Sequence, residues 1–535
     1  MDSATTNSWA KYRRKISDVG PRFHSTKLAP AAIHILLTLP VLCTLMLVAA
    51  RSAQAQAEVV LYNFCTSGPN CLDGERPQSR LTPDGAGNFY GTTEFGGAFG
   101  YGTVFEISPD GSGGWTETVL YSFCPDGGVC TDGAFPSYSY VMFDSAGNLY
   151  GTTSLGGALG LGTVFELSPA GTNWTETVLF SFGGGGSGSC PVNGLIMDTA
   201  GDLFGVTNSE GAGLGTVFEL SQSGGLWTEQ IIYDLASPND AGLTMDSAGN
   251  IFGTTSSTVF ELSPNGDGGW NPAVIHTFTG YPKDGSAAQS APVLGPGGSL
   301  YGTTTTGGEY NYGAVYELGP GKKGEWTEKI LYSFNSYKGR FRIGNDPFAG
   351  LVFDKAGNIY GATLKGGPWG AGSVFELVAP VGTGKYKGRI LWIFEVQNYY
   401  GGLILDSAGN LYGTAQTGGT GGGGYVFEVN PSAGVTTTTL TSSPNPSTDG
   451  EPVTLTADVT SSAGPPPDGE TVTFLWHRSF WRAFGTGTLS GGSASITTSV
   501  FTGGAYRIKA EYGGDLDFTP STSNVLTQVV EKKRK

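Results

Sequence analysis

Four cysteines of the sequence occur as two pairs with the same spacing. Cys65 and Cys71 are six residues apart, as are Cys124 and Cys130, and each pair follows a Val-Leu-Tyr-x-Phe segment. In an exported protein, this spacing predicts two disulfides that each close a small loop. A metal–thiolate site is the weaker interpretation, because the compartment is oxidising and no histidine is near in sequence. Cys190 is left over in the corresponding loop of the next repeat.

Side chains suited to acid–base or nucleophilic catalysis are scarce. Of the 4 histidines, only His276 and His477 lie after residue 57. So few histidines argue against a Ser-His-Asp triad or a histidine-based metal site. His276 is interpreted as a strand residue, and His477, beside Trp476, as a packing residue of the C-terminal part. Carboxylate pairs can serve a glycosidase, but the candidates recur in repeat after repeat, which favours a structural role, such as a bond between repeats. These recurring residues include Glu106, Glu166 and Glu219.

No P-loop, GxSxG or HExxH motif is present in the sequence. We therefore predict no cofactor, no metal and no catalytic residue, and the sequence favours a protein that is not an enzyme.

Aromatic side chains in glycine-rich loops form the predicted ligand site, together with arginines of a neighbouring connection. Exposed loops carry function disproportionately, and such aromatics suit stacking on a sugar ring or on a protein partner. The alternative is that the aromatic rings pack the loops together. The predicted contacts are Phe99, Tyr101, Tyr310, Tyr312, Trp369, Arg340 and Arg342.

A ten-residue unit, DSAGNLYGTT at residues 144–153, recurs along the chain and must position these loops. Its Asp is expected to accept hydrogen bonds from backbone N–H groups two or three residues on, and its first Gly supplies the positive φ of a tight hairpin. The second Gly indicates a close approach within the sheet. The other copies are residues 84–93, 198–207, 246–255, 354–363 and 406–415, with a degenerate copy at 295–304.

Each repeat adds a GTVFEL and a WTETVLYSF segment to this unit, giving four short strands in about fifty residues. That pattern predicts an all-β fold with one propeller blade per repeat. The last repeat lacks its WTETVLYSF strand, and an isolated copy of it occupies residues 58–64. We expect this strand to complete the last sheet and close a seven-bladed β-propeller over residues 58–435. An open solenoid is the alternative architecture.

The two ends of the chain differ from the repeats. Residues 1–57 combine a basic segment, an apolar run and an A-x-A site, which predicts a secretory signal peptide; an uncleaved membrane anchor is the alternative. Residues 436–530 show alternating apolar positions typical of an Ig-like β-sandwich, here without cysteines. Residues 531–535 form a short basic tail.

The seven units with their GTVFEL segments resemble the GloVer-type tandem repeats of secreted bacterial proteins. The SSPNPS, GETVTF and EYGGDLDF segments of residues 436–530 resemble bacterial Ig-like domains of surface and adhesion proteins. The first resemblance implies an exported, propeller-like protein, and the second implies a spacer or adhesive module. Neither resemblance supplies a catalytic residue.

The formal net charge of −16 argues against binding to nucleic acid or anionic lipid. We therefore expect a secreted or cell-surface protein that binds a carbohydrate or a cell-surface protein through its propeller and has no membrane span once processed. An extracellular carbohydrate-active lyase or hydrolase, and a purely structural surface protein, are the alternative functions.

Overall fold

The repeated unit forms an aspartate-anchored hairpin. Oδ1 of Asp144 accepts hydrogen bonds from the backbone N–H groups of Ala146 and Asn148 at 2.8 and 2.9 Å, so its partners lie two and four residues on rather than two or three. Gly147 between them has φ of 90°. The hairpin thus closes around a side-chain acceptor, and the positive φ is the reason for glycine.

A computed structural model describes residues 58–532, apart from residues 67, 69, 210–213, 237–241, 322–324, 336–342, 367–369, 381–383, 395–400, 432–433, 462–463, 478–480, 514–517 and 519–520. The predicted signal peptide at residues 1–57 lies outside the described residues. In this part of the chain the regular structure is almost wholly β-strand, with two 3₁₀ turns at Gly185–Ser187 and Pro296–Gly298. No helix in it is long and apolar enough to cross a membrane.

The described part of the repeat region consists of seven small antiparallel sheets. The first strand, β1 (Glu58–Asn63), belongs to the last of them. The first sheet holds β2 (Glu75–Pro77), β3 (Thr82–Pro83), β4 (Phe89–Phe95), β5 (Thr103–Pro109) and β6 (Trp115–Ser122). The second sheet holds β7 (Met142–Phe143), β8 (Leu149–Thr153), β9 (Thr163–Ala170) and β10 (Asn173–Ser181).

The next two sheets have four strands each. The third holds β11 (Ser189–Met197), β12 (Leu203–Ser209), β13 (Thr216–Ser223) and β14 (Leu226–Asp234). The fourth holds β15 (Leu243–Met245), β16 (Ile251–Thr254), β17 (Thr258–Pro264) and β18 (Trp270–Thr277).

The fifth and sixth sheets, like the first, split their leading strand in two. The fifth holds β19 (Gly285–Ala288), β20 (Val293–Leu294), β21 (Leu300–Gly307), β22 (Ala314–Pro320) and β23 (Trp326–Ser333). The sixth holds β24 (Asn345–Pro347), β25 (Val352–Phe353), β26 (Ile359–Lys365), β27 (Ser373–Val378) and β28 (Lys387–Ile393).

The seventh sheet confirms the predicted pairing of the isolated N-terminal strand. Its strands are β29 (Ile404–Leu405), β30 (Leu411–Ala415) and β31 (Tyr425–Val429), and β1 pairs antiparallel with β31. Glu58 lies opposite Val429, as Glu117 lies opposite Ile107 in the first sheet. The N-terminal strand therefore takes the register of the segment that the last repeat lacks.

Apolar clusters join each sheet to the next. Tyr90 and Phe123 of the first repeat, for example, share a cluster with Leu149 and Phe165 of the second. Corresponding clusters follow at the next five junctions. A seventh cluster joins the last sheet to the first and includes Leu61 and Phe64. The core of the repeat region thus consists of interfaces between consecutive sheets.

The remaining strands build an Ig-like domain of two sheets. They are β32 (Thr436–Ser443), β33 (Ser447–Thr448), β34 (Val453–Ser461), β35 (Thr471–His477), β36 (Trp481–Thr488), β37 (Ser493–Thr498), β38 (Gly504–Tyr512), β39 (Ser521–Thr522) and β40 (Leu526–Glu531). One sheet has the order β32-β34-β37, and the other has the order β33-β40-β38-β35-β36, with β39 beside β38. Their inward residues, including Leu455, Phe474 and Ile508, form one buried cluster.

Candidate functional site

The predicted aromatic contacts lie in the glycine loops between the second and third strands of the sheets. Phe99 and Tyr310 occupy equivalent loop tips, with 45% and 44% of their surface exposed. Leu159 takes the same position in the second sheet and is also exposed. In sequence, Trp369 is their counterpart in the sixth repeat, but it lies outside the described residues. These three described tips therefore present large, mainly apolar side chains to solvent.

Tyr101 and Tyr312 also occupy equivalent positions, and their backbones connect neighbouring sheets. The carbonyl of Tyr101 accepts a hydrogen bond from Phe135 N–H at 2.8 Å, and that of Tyr312 accepts one from Asp346 N–H at 3.2 Å. The Tyr101 ring packs on Phe135 with centroids 5.4 Å apart, whereas Tyr312 remains 37% exposed. The Tyr101 ring thus takes part in packing, and ligand contact stays a prediction for both tyrosines.

Arg340 and Arg342 lie outside the described residues, so their place in the site stays a prediction.

Cys190 lies in the connection from the second sheet to the third. In every described connection between consecutive sheets that contains this position, its backbone N–H bonds to the preceding sheet. The N–H of Cys190 donates to the carbonyl of Leu161 at 2.9 Å, and its φ is 53°. Other residues with positive φ make the same contact to the preceding sheet, namely Arg76, Phe135, Ala287 and Asp346. The unpaired thiol is therefore carried by a residue whose backbone joins the third sheet to the second.

Both predicted disulfides are confirmed. Cys65 is bonded to Cys71, and Cys124 to Cys130. Each closes a loop that connects one sheet to the next. In the second loop, Asp126 accepts a hydrogen bond from the N–H of Cys130 at 2.7 Å. The disulfides thus fix the connections at which the seventh, first and second sheets meet.

A cavity of about 370 Å³ is lined by segments from all seven repeats. One position recurs in this lining: the residue four positions before the repeated unit lines the cavity in every repeat except the third. That residue is small in the later repeats, as Gly242, Ala291, Gly350 and Gly402 show. In the first two repeats it is Arg80 and Tyr140, and the third repeat contributes Asn193 instead. Small residues from several sheets thus leave a space that two large side chains border.

Arg80 and Tyr140 lie against each other at the wall of this cavity. The guanidinium carbon of Arg80 is 4.5 Å from the centroid of the Tyr140 ring, a cation–π arrangement. The Tyr140 hydroxyl donates to the carbonyl of Leu195 at 3.1 Å. Burial raises the pKa of Tyr140, and the charge of Arg80 acts in the opposite direction. This pair, with the Tyr140–Leu195 hydrogen bond, therefore ties together the first three repeats.

Two of the lining residues also carry buried polar atoms without a partner. Nδ2 of Asn193 and Oε1 of Gln78 are buried and have no hydrogen-bond partner among the described residues. Gln78 is only 5% exposed, and its Nε2 donates to Glu94. Since buried polar groups are normally paired, a donor and an acceptor beside the cavity are left to be satisfied. Of the described lining residues, Arg80 alone carries a charge.

Carboxyl pairs lie at several junctions between sheets. Tyr62 of the seventh sheet donates to Asp73, and Glu117 of the first sheet lies beside that Asp. Tyr121 and Asp132 repeat the arrangement at the next junction. Burial, and then the neighbouring Asp73, raise the pKa of Glu117 to about 8. Glu176 beside Asp132 is raised to about 8 by the same two causes, again with burial the larger.

The glutamates of the GTVFEL segments play a different, structural part. Trp270 of the fourth sheet donates its indole N–H to Glu219 of the third sheet at 3.0 Å. The bond between repeats that the sequence suggested is therefore present for Glu219.

The fold and its repeated hairpins define an all-β tandem-repeat protein with a C-terminal Ig-like domain. The chain belongs to the Gloeobacter/Verrucomicrobia repeat family, whose model matches residues 51–258 and 240–464. The bacterial Ig-like domain (group 3) model matches residues 440–531. Both resemblances drawn from the sequence are thus confirmed.

The chain is distantly similar to several solved structures. An extracellular domain assigned to a one-component system of B. thetaiotaomicron is 12% identical with a TM-score of 0.42; the match covers 89% of this chain and 59% of that one. A gluconolactonase from Xanthomonas campestris is 14% identical with a TM-score of 0.34, over 72% of this chain and 93% of that one. The chain thus spans less than two thirds of the first of these proteins. No curated protein matches the chain in sequence.

Proposed function

We propose that residues 58–435 form a seven-bladed β-propeller closed by β1. Seven consecutive sheets with one apolar cluster at each junction support this architecture, as does the cluster between the last sheet and the first. The pairing of β1 with β31 also covers an edge that an open array would leave exposed. In this arrangement, the cavity bordered by Arg80 and Tyr140 lies at the centre of the ring.

We propose further that the protein is an extracytoplasmic binding protein whose ligand is a carbohydrate. The cavity of about 370 Å³ carries the proposal, because it has the size of a small-molecule site and combines apolar walls with a few polar groups. Gln78 offers an unpaired acceptor and Asn193 an unpaired donor, as sugar hydroxyls require. Two disulfides and the predicted signal peptide support export.

Arg80 favours an acidic sugar over a neutral one. A guanidinium binds a carboxylate with two parallel hydrogen bonds, and stacking on Tyr140 holds the Arg80 plane in place. The chain as a whole is acidic, with a net charge of −16, and its surface would repel an acidic ligand elsewhere. We therefore expect the carboxylate of a terminal uronic acid-type residue to bind Arg80.

The glycine loops would contact the remainder of a longer glycan or the surface that carries it. Phe99 and Tyr310 are exposed at loop tips, and Trp369 is the corresponding residue of the sixth repeat. We propose that these residues, with Tyr312, provide the adhesive contact. The Ig-like domain would then hold the propeller away from the cell.

A panel of acidic and neutral oligosaccharides, scored for binding and for product release, tests this function. We expect saturable binding of acidic sugars, no products, and at least tenfold weaker binding by Arg80→Gln. Gly350→Leu should also block binding, since a Cβ at Gly350 meets no atom within 4 Å and a larger side chain would fill the cavity. Gly513→Leu, at a similarly open glycine of the Ig-like domain, is the control. Wild-type binding by both cavity variants would place the ligand elsewhere.

A further inference from the structure

The junction of the fourth and fifth sheets holds a cluster of three side chains that can ligate a metal. Nε2 of His276 lies 3.4 Å from Oδ1 of Asp284 and 3.8 Å from Oε1 of Glu328. The ligand atoms of all three residues lie within 4.8 Å of one another. His276 comes from β18, Glu328 from β23, and Asp284 from the connection between the two sheets. The three groups thus converge from three separate segments.

Neighbouring groups hold the cluster in this arrangement. Oδ2 of Asp284 accepts hydrogen bonds from the N–H and the hydroxyl of Thr279 at 2.6 and 3.0 Å, which leaves Oδ1 towards His276. The N–H of Gly285 also donates to Oδ1. The imidazole ring packs edge-to-face on Phe278 with centroids 4.9 Å apart. Hydrogen bonds and packing of this kind orient the ligands of metal sites.

The chain contains two matched sites that differ at one residue. At the junction of the seventh and first sheets, Tyr62 stands with Asp73 and Glu117; at the next, Tyr121 stands with Asp132 and Glu176. Their hydroxyls donate to the aspartates, at 3.1 and 2.8 Å. His276 faces Val259 as Tyr121 faces Val104, so the residues are equivalent. The fourth sheet thus places an imidazole where these two sites have a phenol.

We propose that His276, Asp284 and Glu328 bind a Zn²⁺ ion. Ligands about 2.0–2.2 Å from a tetrahedral zinc ion are about 3.3–3.6 Å apart. The separation of 3.4 Å falls in that range, and the separation of 3.8 Å exceeds it by about 0.2 Å. One nitrogen and two carboxylate oxygens suit zinc better than Mg²⁺ or Ca²⁺, which prefer oxygen ligands. A water molecule completes the tetrahedron. The ion cross-links the fourth and fifth sheets.

The competing arrangement has no metal: a protonated His276 donates to one of the two carboxylates. Metal titration distinguishes the two. Tag-free protein, stripped with EDTA and dialysed, is titrated with Zn²⁺ and with Mg²⁺ by calorimetry. We expect one Zn²⁺ per chain, no comparable Mg²⁺ binding, and visible absorption bands of tetrahedral geometry when Co²⁺ replaces Zn²⁺. A wild-type protein without saturable Zn²⁺ binding overturns the proposal.

Two variants locate the ion. His276→Tyr restores the residue of the matched sites and keeps the strand intact, so it should fold normally and bind Zn²⁺ at least a hundredfold more weakly. Zn²⁺ should raise the melting temperature of the wild type but not that of this variant. His477→Ala removes the histidine of the Ig-like domain and should bind as the wild type does. Zinc binding that survives in His276→Tyr, or is lost in His477→Ala, also overturns the proposal.

Discussion

The ring of Phe165 occupies the space that the Cβ atom of any other residue would need at position 151. A Cβ atom on Gly151 would lie 2.6 Å from Cζ of Phe165. Phe165 is fully buried in the cluster between the first and second sheets. The Gly of the repeated unit and the Phe of the GTVFEL segment therefore form one packing element.

The first prediction concerns this contact. Gly151→Ala forces the Phe165 ring out of its position, and we expect a loss of roughly 2–3 kcal/mol in the free energy of unfolding, measured by denaturant titration. Gly350→Ala is the control, since a Cβ there meets open space. Equal stability of the two variants would show that the ring adapts without cost.

The second prediction concerns closure by β1. Deleting residues 58–64 removes the buried side chains of Leu61 and Phe64 and exposes the edge of β31. We expect aggregation, or a loss of roughly 5 kcal/mol or more in unfolding free energy, because two large buried side chains are lost together. Deleting residues 532–535, which follow the last strand, serves as the control. A variant without residues 58–64 that melts like its parent would contradict the closed ring.

Repetition made much of the fold predictable. The register of β1, the close approach at Gly151 and the two disulfides each follow from comparing one repeat with another. The cavity did not follow, because Gly350 and Gly402 carry no hydrophobic pattern and come together with Arg80 only through the arrangement of all the sheets. The packing of Tyr101 on Phe135 was also open in the sequence, since Tyr312 at the equivalent position is more exposed.

The third prediction concerns pH. Glu117 and Glu176 have pKa values raised from about 4.5 in the unfolded chain to about 8 in the fold. Below pH 4.5 both states hold these protons. Between pH 4.5 and 8 the folded state binds more protons than the unfolded state, so the unfolding free energy falls as pH rises and levels off above 8.

Replacing both glutamates by Gln mimics the neutral form and should flatten this fall. We expect each replacement to raise the unfolding free energy at pH 8 by roughly 1 kcal/mol. The effect is no larger because partial exposure to solvent weakens it. Thermal melts of both proteins from pH 4.5 to 9 provide the measurement. If the melting temperatures of the two proteins change with pH in the same way across that range, the two carboxyls titrate normally.

The fourth prediction concerns the disulfides. Intact-mass analysis should show a gain of four hydrogens on reduction, from the bonds Cys65–Cys71 and Cys124–Cys130. Replacing Cys124 and Cys130 by Ser should cost about 2 kcal/mol, as expected for a loop of this length. Cys190→Ser is the control and should leave the mass difference unchanged. Four free thiols before reduction would refute the pairing.

The last prediction separates the loop tips from the cavity. Replacing Tyr310, Tyr312 and Trp369 together by Ala should abolish adhesion to a glycan-coated surface while the melting temperature stays nearly unchanged, because Tyr310 and Tyr312 are 44% and 37% exposed. Binding of a free acidic monosaccharide, which would contact only the cavity, should survive in this variant and be lost in Arg80→Gln. If adhesion survives the triple replacement, the cavity alone accounts for binding; if folding collapses, these aromatic side chains pack the loops instead.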